Sequence, residues 1–159
     1  MAVIGMMGLW AVVFLKTNTK IGRFYDQSNL ERSMDKAMDA LVSDLREADP
    51  VSIANDNVWP MNPDHILFTQ SVYDNTGNST QARFQYAVSP DTPMVLARST
   101  CNADWSVCNP QTLFTPPNPS DTLQLSFTKD VNLIVVTFSC KAVGMPQPFQ
   151  RIRHVAIRG

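Results

Sequence analysis

Apolar and polar positions change rhythm twice along the chain. Residues 1–15, MAVIGMMGLWAVVFL, carry no charge, amide or hydroxyl. From Leu30 the apolar positions Leu30, Met34, Ala37, Met38, Leu41, Leu45 and Ala48 recur at spacings of three and four. Glu31, Arg32, Asp35, Lys36, Asp39, Asp44 and Arg46 lie between them, the pattern of a helix with one greasy stripe. No proline interrupts before Asp49-Pro50, where the residue preceding proline is disfavoured in helical torsions. A single helix from Met1 to about Asp49 would be roughly 70 Å long at 1.5 Å per residue. Gly22 is its expected weak point.

After Pro50 the period becomes two. Ala82, Phe84, Tyr86 and Val88 alternate with polar or small residues, and a Ser-Pro-Asp-Thr-Pro turn leads to Met94–Arg98, so the two segments are expected to form a hairpin. Leu123, Leu125 and Phe127 define a further strand, Lys129-Asp130 a turn, and Ile134, Val136, Phe138 and Cys140 the next strand. Ile66–Tyr73 and Arg151–Arg158 complete the set, and the proline-rich stretch Asn109–Ser120 is expected to be a loop between strand pairs. The expected fold class is therefore α+β: a long N-terminal helix, apolar then amphipathic, covering one face of an antiparallel β-sheet head. Residues 1–49 form the helix, with 1–15 its membrane part and 16–49 its amphipathic part. Residues 50–159 form the β-rich head.

The apolar start sharpens the reading. A secretory signal would carry basic residues before the run and a small-residue cleavage site after it, and neither is present. Fifteen residues fall short of the ~20 needed to cross a bilayer. The run therefore reads as the second part of a membrane helix, with Met1 an internal methionine and the true start upstream. Lys16, Lys20 and Arg23 follow it, and the positive-inside tendency would place them in the cytoplasm, against a topology with the head outside.

Composition narrows the chemistry. Of the 159 residues 17% are charged, 11 are prolines, and the net charge is −1, so the basic face that nucleic-acid binding requires is missing. Ser33-x-x-Lys36 and Ser126-x-x-Lys129 match an acylase dyad in spacing but lack its partner motifs. His65 and His154 stand far apart in sequence, and no phosphate loop or dinucleotide fingerprint occurs. Asp74 alone supplies a carboxylate to the Tyr73–Thr80 loop, a polar turn in preference to a calcium site. No catalytic residue, cofactor or metal site is expected. Cys101 and Cys108 share one Asn/Pro-rich loop while Cys140 sits in an apolar run. In an oxidising compartment the first two would close a small loop; in a reducing one all three would be thiols.

An apolar helix turning amphipathic ahead of antiparallel strands resembles the type IV pilin family. Asp44-Leu45-Arg46-Glu47-Ala48 is similar to the helix end of J-type pseudopilins and PilW-type minor pilins. Phe84-Gln85-Tyr86-Ala87-Val88 with Leu96-Ala97-Arg98 is similar to their "xYxV … LxR" hairpin, and Val155-Ala156-Ile157-Arg158 to their last strand. The family's leader site and early glutamate have no counterpart in residues 1–159. The resemblance implies a structural subunit, not an enzyme, of a type IV pilus or a type II secretion pseudopilus, in a tip or initiation complex. Its location would be the bacterial inner membrane with the head in the periplasm, or the fibre itself. Its partners would be sister pilins or pseudopilins, met through helix and head, and membrane lipid; nucleic acid is not among them. The residues implicated are Met1, Val3, Ile4, Leu9, Trp10, Val12, Val13, Phe14 and Leu15, with the loop of Cys101 and Cys108. A single-span anchored periplasmic binding domain outside any filament is the competing reading.

Overall fold

A computed structural model describes residues 27–49, 52, 65–130 and 133–156. Residues 1–33 and 34–159 form two compact units. In the first, the described part is the opening of helix α1 (27–47), where Gln27 Nε2 donates to Glu31 Oε1 at 3.4 Å. The second holds the rest of α1 and seven strands: β1 (His65–Tyr73), β2 (Ser79–Val88), β3 (Leu96–Cys101), β4 (Cys108–Phe114), β5 (Thr122–Asp130), β6 (Leu133–Lys141) and β7 (Phe149–Ala156). They make two antiparallel meanders, a four-stranded sheet in the order β1-β2-β3-β4 and a three-stranded sheet in the order β5-β6-β7.

This corrects the α+β expectation. Strand accounts for about half of the described residues and their helix is short, so the described part of the chain is mostly β, built as two sheets and not as one sheet covered by a long helix. The physical reason lies in the strands themselves. Within each meander every strand pairs with its sequence neighbour, and among the described residues the two meanders supply most of the buried apolar side chains: Ile66, Phe68, Phe84, Tyr86, Leu96 and Phe114 from one, and Leu123, Leu125, Ile134, Val136, Phe138 and Val155 from the other. The ladder divides in two where Pro116, Pro117 and Pro119 lack the N–H groups that pairing needs. The segment expected to be a loop from Asn109 to Ser120 begins as strand β4, which is an edge, where Pro110 is tolerated opposite Ser99. Lys129 and Asp130 belong to β5 and pair with Ile134 and Leu133, so they extend the strand where a turn was expected.

From Met34 onward the helix behaves as its stripe requires. Met34, Ala37, Met38, Leu41, Leu45 and Ala48 are buried, and at 100° per residue Asp44 and Asp35 fall on opposite margins of that stripe. Asp44 reaches β2 and β3 of the larger sheet, and Asp35 reaches β7 of the smaller one. The two sheets also meet directly, where the Phe114 and Phe138 rings pack edge to face at 5.4 Å. Among the described residues no helix is long and apolar enough to cross a membrane. The apolar run Met1–Leu15 lies outside the described residues.

Candidate functional site

Two places in the described head combine polar groups in defined geometry. The first is the Asp44 cluster. Tyr86 alternates inward on β2, fully buried, and register sets it beside Arg98 on β3 and Ile66 on β1. Asp44 projects from α1 onto this face. Its Oδ2 accepts from the Tyr86 hydroxyl at 2.6 Å and from Arg98 Nε at 2.6 Å, and its carbonyl accepts from Gln70 Nε2 at 2.7 Å. The Arg98 guanidinium also stands 4.2 Å from the Phe84 ring centroid, a cation–π contact. Phe68 stacks near both Phe84 and Tyr86, at 5.9 and 6.1 Å.

Electrostatics close this cluster to proton chemistry near neutral pH. Burial, then the hydrogen bond and charge of Asp44, push the Tyr86 phenol far above its ordinary value. Burial opposes the Arg98 charge, but the hydrogen bond and charge of Asp44 outweigh it and hold the guanidinium above its ordinary value. Each group saturates the next, so the chemistry is that of an anchor tying helix to sheet. Asp35 plays the same part toward β7, accepting from Arg151 Nε at 2.8 Å and Arg153 Nη2 at 3.4 Å. Sequence reading did not single out either anchor. The available signal was Asp44 at the margin of the stripe and Arg98 two residues from buried Leu96, hence on one face of β3.

The second place is the outer end of the four-stranded sheet, where the β1–β2 and β3–β4 hairpins turn at the same end. Cys101 and Cys108 are directly opposed in the register and joined by a disulfide. Inside that loop Asp104 Oδ1 accepts from the Ser106 hydroxyl at 2.7 Å and its N–H at 3.0 Å, and Asn102 Oδ1 accepts from the Val107 N–H at 3.1 Å. Trp105 sits at φ 62°, a left-handed conformation uncommon outside glycine. The Ser106 bonds hold the Asp104 carboxyl below its ordinary range. In the neighbouring β1–β2 turn the Asp74 carboxylate gathers the Thr76 hydroxyl and the N–H groups of Thr76 and Asn78 within 2.9 Å. Those bonds, the Thr76 hydroxyl foremost, lower its pKa. Gly77 takes φ 85°, which only glycine adopts without strain. Tyr73, 69% exposed, and Val107, 59% exposed, are carried on these two hairpins.

Met1, Val3, Ile4, Leu9, Trp10, Val12, Val13, Phe14 and Leu15 lie outside the described residues. Cys140 is a buried free thiol. Ser33 and Lys36 are both exposed on α1, whereas Ser126 and Lys129 fall on opposite faces of β5 by the two-residue period. No group of three or more metal-ligating side chains occurs among the described residues. No family model, no curated protein and no solved structure matches the chain.

Proposed function

We propose that this protein is a membrane-anchored structural subunit of an extracytoplasmic assembly, a minor pilin or pseudopilin. The observation that carries this reading is the apolar run Met1–Leu15 leading without a proline into the amphipathic stripe of Leu30–Ala48. A greasy segment needs lipid or other greasy helices around it, and a fibre of packed helices supplies the second. Two features of the head support the reading. The Cys101–Cys108 disulfide is of the kind that persists in oxidising compartments. The Asp44 and Asp35 anchors couple helix and head mechanically, as a subunit pulled by its helix requires.

The test is fractionation of the native host. The protein should stay with membranes through alkaline carbonate washing, and a cysteine at Val12 should cross-link to a second pilin-like polypeptide. Leu9→Lys together with Val13→Lys should release it. A carbonate-soluble protein overturns the anchor. A carbonate-resistant protein without cross-links through Val12 overturns assembly and leaves a single-span binding domain.

A further inference from the structure

Edge strands expose unpaired N–H and C=O groups, and soluble folds blunt them with charges, prolines, bulges or a covering segment. Three edges here are blunted. β4 carries Pro110 and borders a register shift at Leu96/Ala97; β5 carries Lys129, and β7 carries Arg151 and Arg153. Among the described residues, β1 is covered along part of its length only. The Thr69 N–H donates to Ser52 Oγ at 3.0 Å, and the Thr69 carbonyl accepts from the Asp49 N–H at 2.7 Å.

Those two bonds fix the orientation of the strand. Thr69 turns its backbone groups away from β2, so Ser71 and Tyr73 do the same by the two-residue period. In agreement, the Val72 carbonyl faces β2, where it accepts from Thr80 Oγ1 at 3.4 Å. The β1–β2 register runs unbroken to Tyr73↔Ser79. Beyond Thr69 the edge reads Gln70-Ser71-Val72-Tyr73, with no charge, proline or bulge. Outside the β1–β2 ladder, no backbone hydrogen bond of Ser71 or Tyr73 occurs among the described residues. Val72 is 45% exposed.

We propose that this uncovered stretch of β1 pairs antiparallel with the same stretch of a second copy of this chain, about a two-fold axis through Val72. The choice of occupant follows from the symmetry of the free groups. Ser71 and Tyr73 flank Val72, so placing Ser71 opposite the partner's Tyr73 satisfies all four outward backbone groups of each copy at once. No other register does so, because Thr69 is already covered and Asp74 begins the turn. Uncharged strands meet without like-charge repulsion. Val72 then faces its own counterpart as a non-hydrogen-bonded pair, with Cβ atoms about 4.5–5.5 Å apart. A contact this short buries less than the roughly 1,000 Å² of a stable interface, so the pairing is transient and a covalent link across the axis traps it.

The full chain carrying Val72→Cys, under mild oxidation, should form a disulfide-linked dimer at least ~10-fold faster than one carrying Thr80→Cys, exposed but one strand further in. Adding Ser71→Pro removes an outward N–H without touching the β1–β2 ladder and should abolish the link. Ser71→Lys, which sets like charges near the axis, should slow it. Unchanged circular dichroism of each variant confirms the fold. Equal rates for Val72→Cys and Thr80→Cys, indifference to both Ser71 substitutions, or a link from Val72→Cys to a different polypeptide would each overturn the pairing.

Discussion

Replacing Asp44 by alanine tests whether the helix is held by the anchor or by its apolar stripe alone. Tyr86 is fully buried, and its hydroxyl would lose the acceptor at 2.6 Å, an unmet bond costing about 1–3 kcal/mol. The Arg98–Asp44 pair is about a quarter exposed, with side-chain exposures of 26% and 20%. Its loss falls between the ~0–1 kcal/mol of surface pairs and the ~3–5 of buried ones, nearer the lower figure because water reaches the guanidinium. Asp44→Ala should therefore destabilise by about 3 kcal/mol, and Asp44→Asn, which keeps an acceptor, by about half as much. Urea unfolding followed by circular dichroism measures both, and Tyr86→Phe closes a double-mutant cycle with an expected coupling of ~1–2 kcal/mol. The same site predicts a pH dependence. The folded pKa of Tyr86 is raised while unfolded tyrosine titrates near about 10. Its contribution is therefore fully present below about pH 10 and is lost above it, at up to ~1.4 kcal/mol per pH unit. Tyr86→Phe should shallow that alkaline decline. A cost below ~0.5 kcal/mol for Asp44→Ala, or additivity with Tyr86→Phe, would mean that the apolar stripe alone holds the helix.

Two further outcomes follow from the cysteines. The Cys101–Cys108 loop has a sequence separation of 7, for which loop-closure entropy gives roughly 2 kcal/mol; a reductant should lower the urea midpoint of the native protein and leave Cys101→Ser/Cys108→Ser unchanged. Cys140 is buried in β6, its thiol pushed up to about 11 by burial and then by the Asp121 charge, so Ellman's reagent at about pH 8 should titrate one thiol after unfolding and none before. Rapid labelling of the native protein would mean that the core of the smaller sheet opens readily.

How far these features were legible depends on the range of the interactions behind them. Helix 27–47 and the strands with clean alternation, such as Ile134–Cys140, are written in neighbouring residues, because periodicity is a property of the local backbone. Strand β4 was not legible, since Pro110 argues against a strand until the strand is known to be an edge. The division into two sheets was equally hidden, since it rests on where pairing stops. The anchors join positions 42, 54 and 116 residues apart, beyond any local pattern. What the chain's own order determined is the apolar start, the stripe, the alternating runs and the two cysteines that share a loop. Which strands pair, which stretch of edge the described residues leave uncovered at Ser71 and Tyr73, and which carboxylate meets which arginine were decided by tertiary structure alone, because register and burial exist only once distant segments share a core.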